Sequence, residues 1–277
     1  MTRQGFVASP VTGADAQTPI SAPIIAQCND IDLVYRVRLF RDRTLRDIFV
    51  SLSRDPLGFL LKKKDRLHVL RKVSLNIYRG DRIGILGFNG AGKTSLCRCF
   101  ANVYTPNSGK IKVFGRTRAV FDTSVGIYPE LTGRENAEIL AQFMYPDVSD
   151  SERKQLILEA LEFSELGNFV DAPFKTYSNG MQARLCLSII SCRSPDLLIL
   201  DEVFDGADKF FREKVSHRIV QLIENSGAVM FVSHSPEQVD RICNRVIVIH
   251  DGLIAFDGPK DDGIKYFNSL KPRATIG

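Results

Sequence analysis

The run GFNGAGKT at residues 87–94 constrains the chain more than any other stretch. It follows RIGIL at 82–86, a short β-rich apolar run, and precedes a helical pattern through Phe100. This is G-x-x-x-x-G-K-T in the strand–loop–helix context that a P-loop requires. Glycines let the backbone wrap close to phosphate oxygens, and the helix N-terminus adds a positive dipole end. Gly87, Gly90 and Gly92 supply that freedom here, and Phe88, Asn89 and Ala91 complete the candidate cradle. Lys93 can reach β- and γ-phosphates, Thr94 offers a hydroxyl to Mg²⁺, and Ser95 follows on the helix. The competing reading is a glycine-rich βα turn with a chance Lys-Thr, and the flanking strand and helix count against it.

Two further strands are predicted to end beside that loop. LLIL at 197–200 delivers Asp201 and Glu202. In P-loop enzymes an Asp so placed helps hold Mg²⁺. Glu202, one residue on, can turn toward an attacking water as general base. An acidic turn after a strand is the plainer alternative. The run AVMFVSH from 228 places His234 at a strand end, where it could hydrogen-bond a γ-phosphate. Ligands of parallel α/β sheets sit at those carboxyl ends. His68, His217 and His250 receive no role.

KTYSNGMQARL at 175–185 marks a helix start. Ser178 can be an N-cap that accepts from free N–H groups of the first turn. The same geometry makes an anion site. The residues alone leave both readings open.

Composition narrows the class. A chain of 277 residues holds one or two domains with a sizeable core. The net charge of +5 is mild and does not by itself indicate nucleic acid. No apolar run approaches the roughly 18 residues of a membrane helix. Residues 1–24 lack an apolar h-region, so they read as a disordered tail rather than a secretory signal. The six cysteines show no CxxC pair and read as reduced packing residues of a cytoplasmic protein.

The P-loop, SNGMQ, LLILDE and VSH, in that order, resemble an ABC-transporter ATPase subunit, over about residues 28–268. The resemblance implies an α/β P-loop NTPase over 25–268. Its parts would be a RecA-like core, an antiparallel β subdomain and an α-helical subdomain at about 128–192. It also implies ATP and Mg²⁺ as cofactors and a homodimer that sandwiches two nucleotides head to tail. Ser178, Asn179 and Gly180 would then bind the γ-phosphate held by the other subunit, and Asp208 would lie in the inter-subunit loop. Tyr35 falls where the family stacks an aromatic on adenine, the alternative being a half-buried strand tyrosine. Partners would be two integral-membrane permease subunits, with the chain peripheral at the cytoplasmic face of a bacterial inner membrane and no nucleic acid bound.

Within the family, YPELTGREN at 128–136, KTYSNGM at 175–181, DEVFDGADKFF at 201–211 and the basic insertion before the P-loop look like polysaccharide exporters. Those proteins move O-antigen, capsule or teichoic-acid chains. Two departures stand out. The segment AVFDTSVGIYPEL carries no Gln where the family usually has one, and Asp122 or Thr123 falls nearest. Asp122 is favoured as the nucleotide- and Mg²⁺-sensing residue, because the exporter branch often has an acidic residue there. Asn179 stands where Gly is commonest, and Met181-Gln182 replaces Gly-Gln.

The remaining elements follow from pattern. CNDIDLVYR at 28–36 reads as a first strand. Arg36 to Lys72 is a basic insertion with twelve Arg or Lys against four Asp. It suits either anionic lipid headgroups or a solvated helix face. Thr132 with Glu135 and Ser149 with Glu152 match capping boxes. Leu156, Leu158, Leu161, Phe163 and Leu166 read as helical core. The resemblance implies that a membrane subunit would dock on the outer surface of the helical subdomain, with the loop around Asp122 to Pro129. RVIVIHDGLIAFDG reads as a hairpin about a type I′ Asp251-Gly252 turn. IKYFNSL is a final helix before a short tail, 269–277, that leaves no room for the sugar-binding domain of some exporters.

Three rivals remain. A soluble ATPase acting on ribosomes or DNA usually has two cassettes or a coiled coil, and neither is visible. An importer or small-drug exporter ATPase fits TGREN and the insertion less well. A non-catalytic regulatory subunit would not need Lys93, Asp201, Glu202 and His234 together.

Overall fold

A computed structural model describes residues 22–36, 66–121, 126–201, 218 and 220–270. The first 21 residues, most of the basic insertion, Asp122, Thr123, Glu202, Asp208 and the last seven residues lie outside the described residues.

The central strands are apolar on both sides, which suits a sheet covered on both faces. Strands β3 (Arg82–Leu86), β5 (Thr117–Val120), β6 (Leu197–Asp201), β7 (Ala228–Val232), β8 (Arg245–His250) and β9 (Leu253–Pro259) form one sheet in the order β5-β6-β7-β3-β8-β9. All neighbours are parallel except the β8–β9 hairpin. The hairpin turns on Asp251 and Gly252, with φ of 50° and 77°, as a type I′ turn demands. On β6, Leu197 and Ile199 join one apolar core while Leu198 and Leu200 join the other. This period-two split explains why LLIL is an uninterrupted apolar run.

The core on one face is filled by helix α1 (Lys93–Phe100) and by a second, antiparallel sheet. That sheet has the order β2-β1-β4, from β1 (Ile24–Arg36), β2 (Arg66–Tyr78) and β4 (Ser108–Val113). β1 starts four residues before the expected strand at Cys28. The larger correction concerns 66–72. These residues belong to β2 and pair with β1, not to a basic insertion. From Val73 the strand alternates, with Val73, Leu75 and Ile77 inside and Ser74 and Asn76 outside. Before it, register shifts and the left-handed Lys72, φ 44°, break the alternation and hide the strand in the sequence.

Helices α2 (Gly133–Met144), α3 (Asp150–Ser164) and α4 (Asn179–Ile190) pack on one another over the predicted helical region. Both predicted N-caps form. Thr132 and Glu135 make a reciprocal capping box, whereas Ser149 accepts from the Glu152 N–H but the Glu152 carboxylate pairs with Arg193 instead of closing the second box. Leu156, Leu161 and Leu166 are buried as expected, but Leu158 is 57% exposed. Two residues on a helix are about 200° apart, so Leu158 cannot share a face with Leu156. The buried face is Leu156, Ile157, Ala160 and Leu161. Helix α5 (Pro236–Ile242) packs on β3, and helix α6 (Lys260–Ser269) packs beside it on β8 and β9.

Candidate functional site

Strand order decides where the motifs meet. β7 lies between β6 and β3, so the ends of three neighbouring parallel strands carry Asp201, His234 and the loop after Leu86. Asp201 is opposite Val232 in register, two residues before His234.

The loop has the backbone its glycines predict. Gly92 is left-handed, φ 109°, at the α1 N-cap, where a Cβ would come within 2.8 Å of the Val69 carbonyl. Gly90, φ 78°, faces open space, so its backbone is accessible to a ligand. Asn89 is exposed, Phe88, Thr94 and Ser95 are half-buried, and Ala91 is buried. Gly87 is buried against the Ile249 carbonyl. Lys93 is only 6% exposed, and its Nζ donates to the Gly87 carbonyl at 2.8 Å and the Phe88 carbonyl at 3.3 Å. The ammonium is thus held over the loop itself.

Asp201 is 6% exposed at the end of β6. The Cys97 thiol lies between the motifs. Burial pushes its pKa well up, the Asp201 and Cys99 charges add to the rise, and Lys93 opposes it. Lys93 and Asp201 therefore act on one neighbourhood beside α1. A carboxylate and a hydroxyl, Asp201 and Thr94, are hard oxygen donors that suit Mg²⁺, which keeps much of its water. His234 is exposed on the turn after β7. The turn is braced by Ser233, which donates to Gln238 at 2.8 Å, and by Ser235, which caps α5.

Tyr35 is half-buried, and its hydroxyl shares a hydrogen bond of 2.9 Å with Ser95. Its ring meets Tyr104 edge-on at 5.8 Å. Sequence reasoning missed Tyr104 and Arg98. Arg98 donates to the Tyr104 hydroxyl at 2.9 Å and lies 5.5 Å from the Phe121 ring. Five of the six cysteines are buried, as expected of packing residues. Burial raises the Cys28 and Cys243 thiols to about 12.

Ser178 caps α4, accepting from the Met181 N–H at 3.3 Å. Ser178 and Asn179 are exposed and Gly180 is half-buried, at the start of the helical layer. The helix begins two residues before Met181, where the apolar pattern starts. Gln182 donates to the Tyr177 carbonyl, and Tyr177 packs on Phe174 at 5.0 Å, fixing the turn.

A connection not seen in the sequence joins this turn to the TGREN segment. The Phe174 N–H donates to Leu131, the Lys175 N–H to Pro129, and Thr132 bridges Pro173. Lys175–Glu130 and Arg134–Asp171 ion pairs, at 2.6 and 2.7 Å, flank the seam. Asn136 is fully buried, accepts from the Tyr128 N–H at 2.7 Å, and donates to the Tyr128, Leu131 and Thr132 carbonyls. The signal for it was an Asn one turn into a helix whose other inward residues are apolar.

Fold and site together define a P-loop protein of the α/β class. The family model described as ABC transporter matches residues 70–205. The O-antigen export system ATP-binding protein RfbE of Yersinia enterocolitica is 37% identical over 185 residues, 67% of this chain and 77% of that protein. RfbB of Myxococcus xanthus, also named an O-antigen export system ATP-binding protein, is 32% identical over 79% of this chain and 51% of its own length. The teichoic acids export ATP-binding protein TagH of Enterococcus faecalis is 37% identical over 74% of this chain and 45% of its own length. The chain thus spans about half the length of these last two relatives. A solved ATP-binding subunit of an ABC transporter shares the fold, with a TM-score of 0.65 at 21% identity over 88% of this chain and 93% of that one. The chain belongs to the ABC transporter family, among its ATP-binding proteins.

Proposed function

We propose that the chain hydrolyses ATP to power export of a lipid-linked polysaccharide through a permease in a bacterial inner membrane. The observation that carries the reading is the convergence of the P-loop, Asp201 and His234 at one sheet edge, in a chain whose relatives are named export ATP-binding proteins. The chemistry is phosphoryl transfer to water. The loop N–H groups and Lys93 bind the β- and γ-phosphates. Thr94 and Asp201, with Asp122, would hold Mg²⁺, which neutralises phosphate charge when bound. Glu202 orients the water and accepts its proton, and His234 donates to the γ-phosphate. Tyr35 would stack on adenine once its ring turns from Tyr104.

Two copies would face each other head to tail. Ser178, Asn179 and Gly180 of each would cap the γ-phosphate on the other, with Asp208 at the seam. Closure follows because ATP binds the closed dimer better than the open one. Two permease subunits would dock beside Tyr128 and Phe143, two aromatics that are 55% and 70% exposed. The seam from Pro129–Thr132 to Pro173–Lys175 supports transmission from that surface to Ser178.

The test is Glu202→Gln. The variant should bind ATP, form a stable dimer and turn over little. Hydrolysis at the rate of the unaltered chain would refute the assignment of Glu202.

A further inference from the structure

One contact of the phosphate loop lies outside the phosphate chemistry. Phe88, second residue of the loop, packs its ring on Phe267 of α6 with centroids 5.6 Å apart and planes at 42°. His250, at the end of β8, meets the same ring edge-on at 6.3 Å. The backbone of Phe88 is inside the cradle. Its carbonyl accepts from the Ala91 N–H at 3.1 Å and from Lys93 Nζ at 3.3 Å. One residue therefore holds the lysine by its main chain and the last helix by its side chain.

The helix that supplies Phe267 is itself fixed. Gly263 lies so near β8 that a Cβ there would come 2.5 Å from Val246. Tyr266 stacks on Phe256 of β9 at 5.5 Å and 24°. Lys260 pairs with Asp240 of α5 at 2.9 Å. Phe267 is thus presented from a fixed support, and the loop gains a side-chain anchor beside the backbone contacts of Gly87 and Gly92.

We propose that Phe267 is a positioning residue for nucleotide: it clamps Phe88 and so fixes the phosphate loop in one shape before nucleotide binds. The inference rests on the proposed ATPase reading. A loop preshaped for phosphate loses less freedom on binding, so the clamp acts on affinity. It does not touch the water or the γ-phosphate, so the rate at saturation stays with other residues.

The test is a steady-state comparison of the full chain with Phe267→Ala, Phe88→Ala, the double variant and Phe267→Tyr. Phe267→Ala should raise the ATP KM about fivefold, the scale of one lost aromatic contact, with kcat nearly unchanged. The ADP Kd should weaken by the same factor, because ADP uses the same loop. The double variant should cost no more than Phe88→Ala alone, and Phe267→Tyr should restore affinity. If Phe267→Ala does not fold, Phe88→Ala and Phe267→Tyr still report, since the first removes the clamp from the loop side and the second keeps it. A lower melting temperature with unchanged KM, a loss in kcat at constant KM, or additive effects in the double variant would overturn the clamp and leave the ATPase reading standing. Failure of the unaltered chain to bind ATP would overturn both.

Discussion

Ser178 offers a way to separate a helix cap from a phosphate site, because the two roles respond differently to one substitution. Its Oγ accepts from the Met181 N–H at 3.3 Å, a long cap bond at an exposed helix start. Ser178→Ala should cost about 1 kcal/mol through the cap. That is a fall of about 2–4 °C in melting temperature for a domain of this size. Aspartate caps as well as serine and suits the helix dipole, so Ser178→Asp should melt no lower than the unaltered chain. The dimer responds otherwise. A hydrogen bond to a charged group contributes about 1.5–3 kcal/mol. Two sites per dimer give about 3–6 kcal/mol, so Ala should weaken ATP-induced dimerisation roughly 10²–10⁴-fold. Asp sets a carboxylate against the γ-phosphate and should abolish it. The assay is sedimentation velocity with ATP in a Glu202→Gln background, beside thermal melts. Normal ATP-dependent dimerisation by the Asp variant would show that the helix start is a cap only.

Two other outcomes are expected. Asn136→Ala removes a fully buried amide and strands the Tyr128 N–H, while the Tyr128 carbonyl keeps the Leu131 N–H. It should cost about 2 kcal/mol by thermal or urea unfolding, and a cost near zero would refute the view that this amide pins the loop. Hydrogen bonds from Ser108 and His68 hold the Asp32 carboxyl below its ordinary pKa. A depressed carboxyl stabilises the fold above the ordinary Asp range and loses that contribution as pH falls through its folded value. Asp32→Asn should therefore flatten the acid side of the stability curve, measured by urea midpoints from pH 6 downward. An acid limb as steep as that of the unaltered chain would contradict this.

Legibility in the sequence followed the physics of each element. RIGIL, LLIL and the Asp251-Gly252 hairpin were readable because central parallel strands are apolar on both faces and a type I′ turn has its own residues. The phosphate loop was readable because its glycines, Lys93 and Thr94 are local. β2 was not, because Arg66 to Lys72 carry charge on an exposed face and a left-handed Lys72 interrupts the alternation. Leu158 was misplaced by counting apolar residues rather than turning them around the helix. The seam between Leu131 and Phe174 and the Phe88–Phe267 contact were invisible for another reason. They join residues distant along the chain by backbone bonds and ring packing, which leave no local pattern.

Affinity purification of the tagged chain from detergent-solubilised membranes, with mass spectrometry of what accompanies it, separates an export ATPase from a soluble one. An export ATPase should bring down a polytopic membrane protein in one-to-one ratio with the chain. Recovery with ribosomes, or without any membrane protein, would leave the phosphate chemistry in place and contradict export.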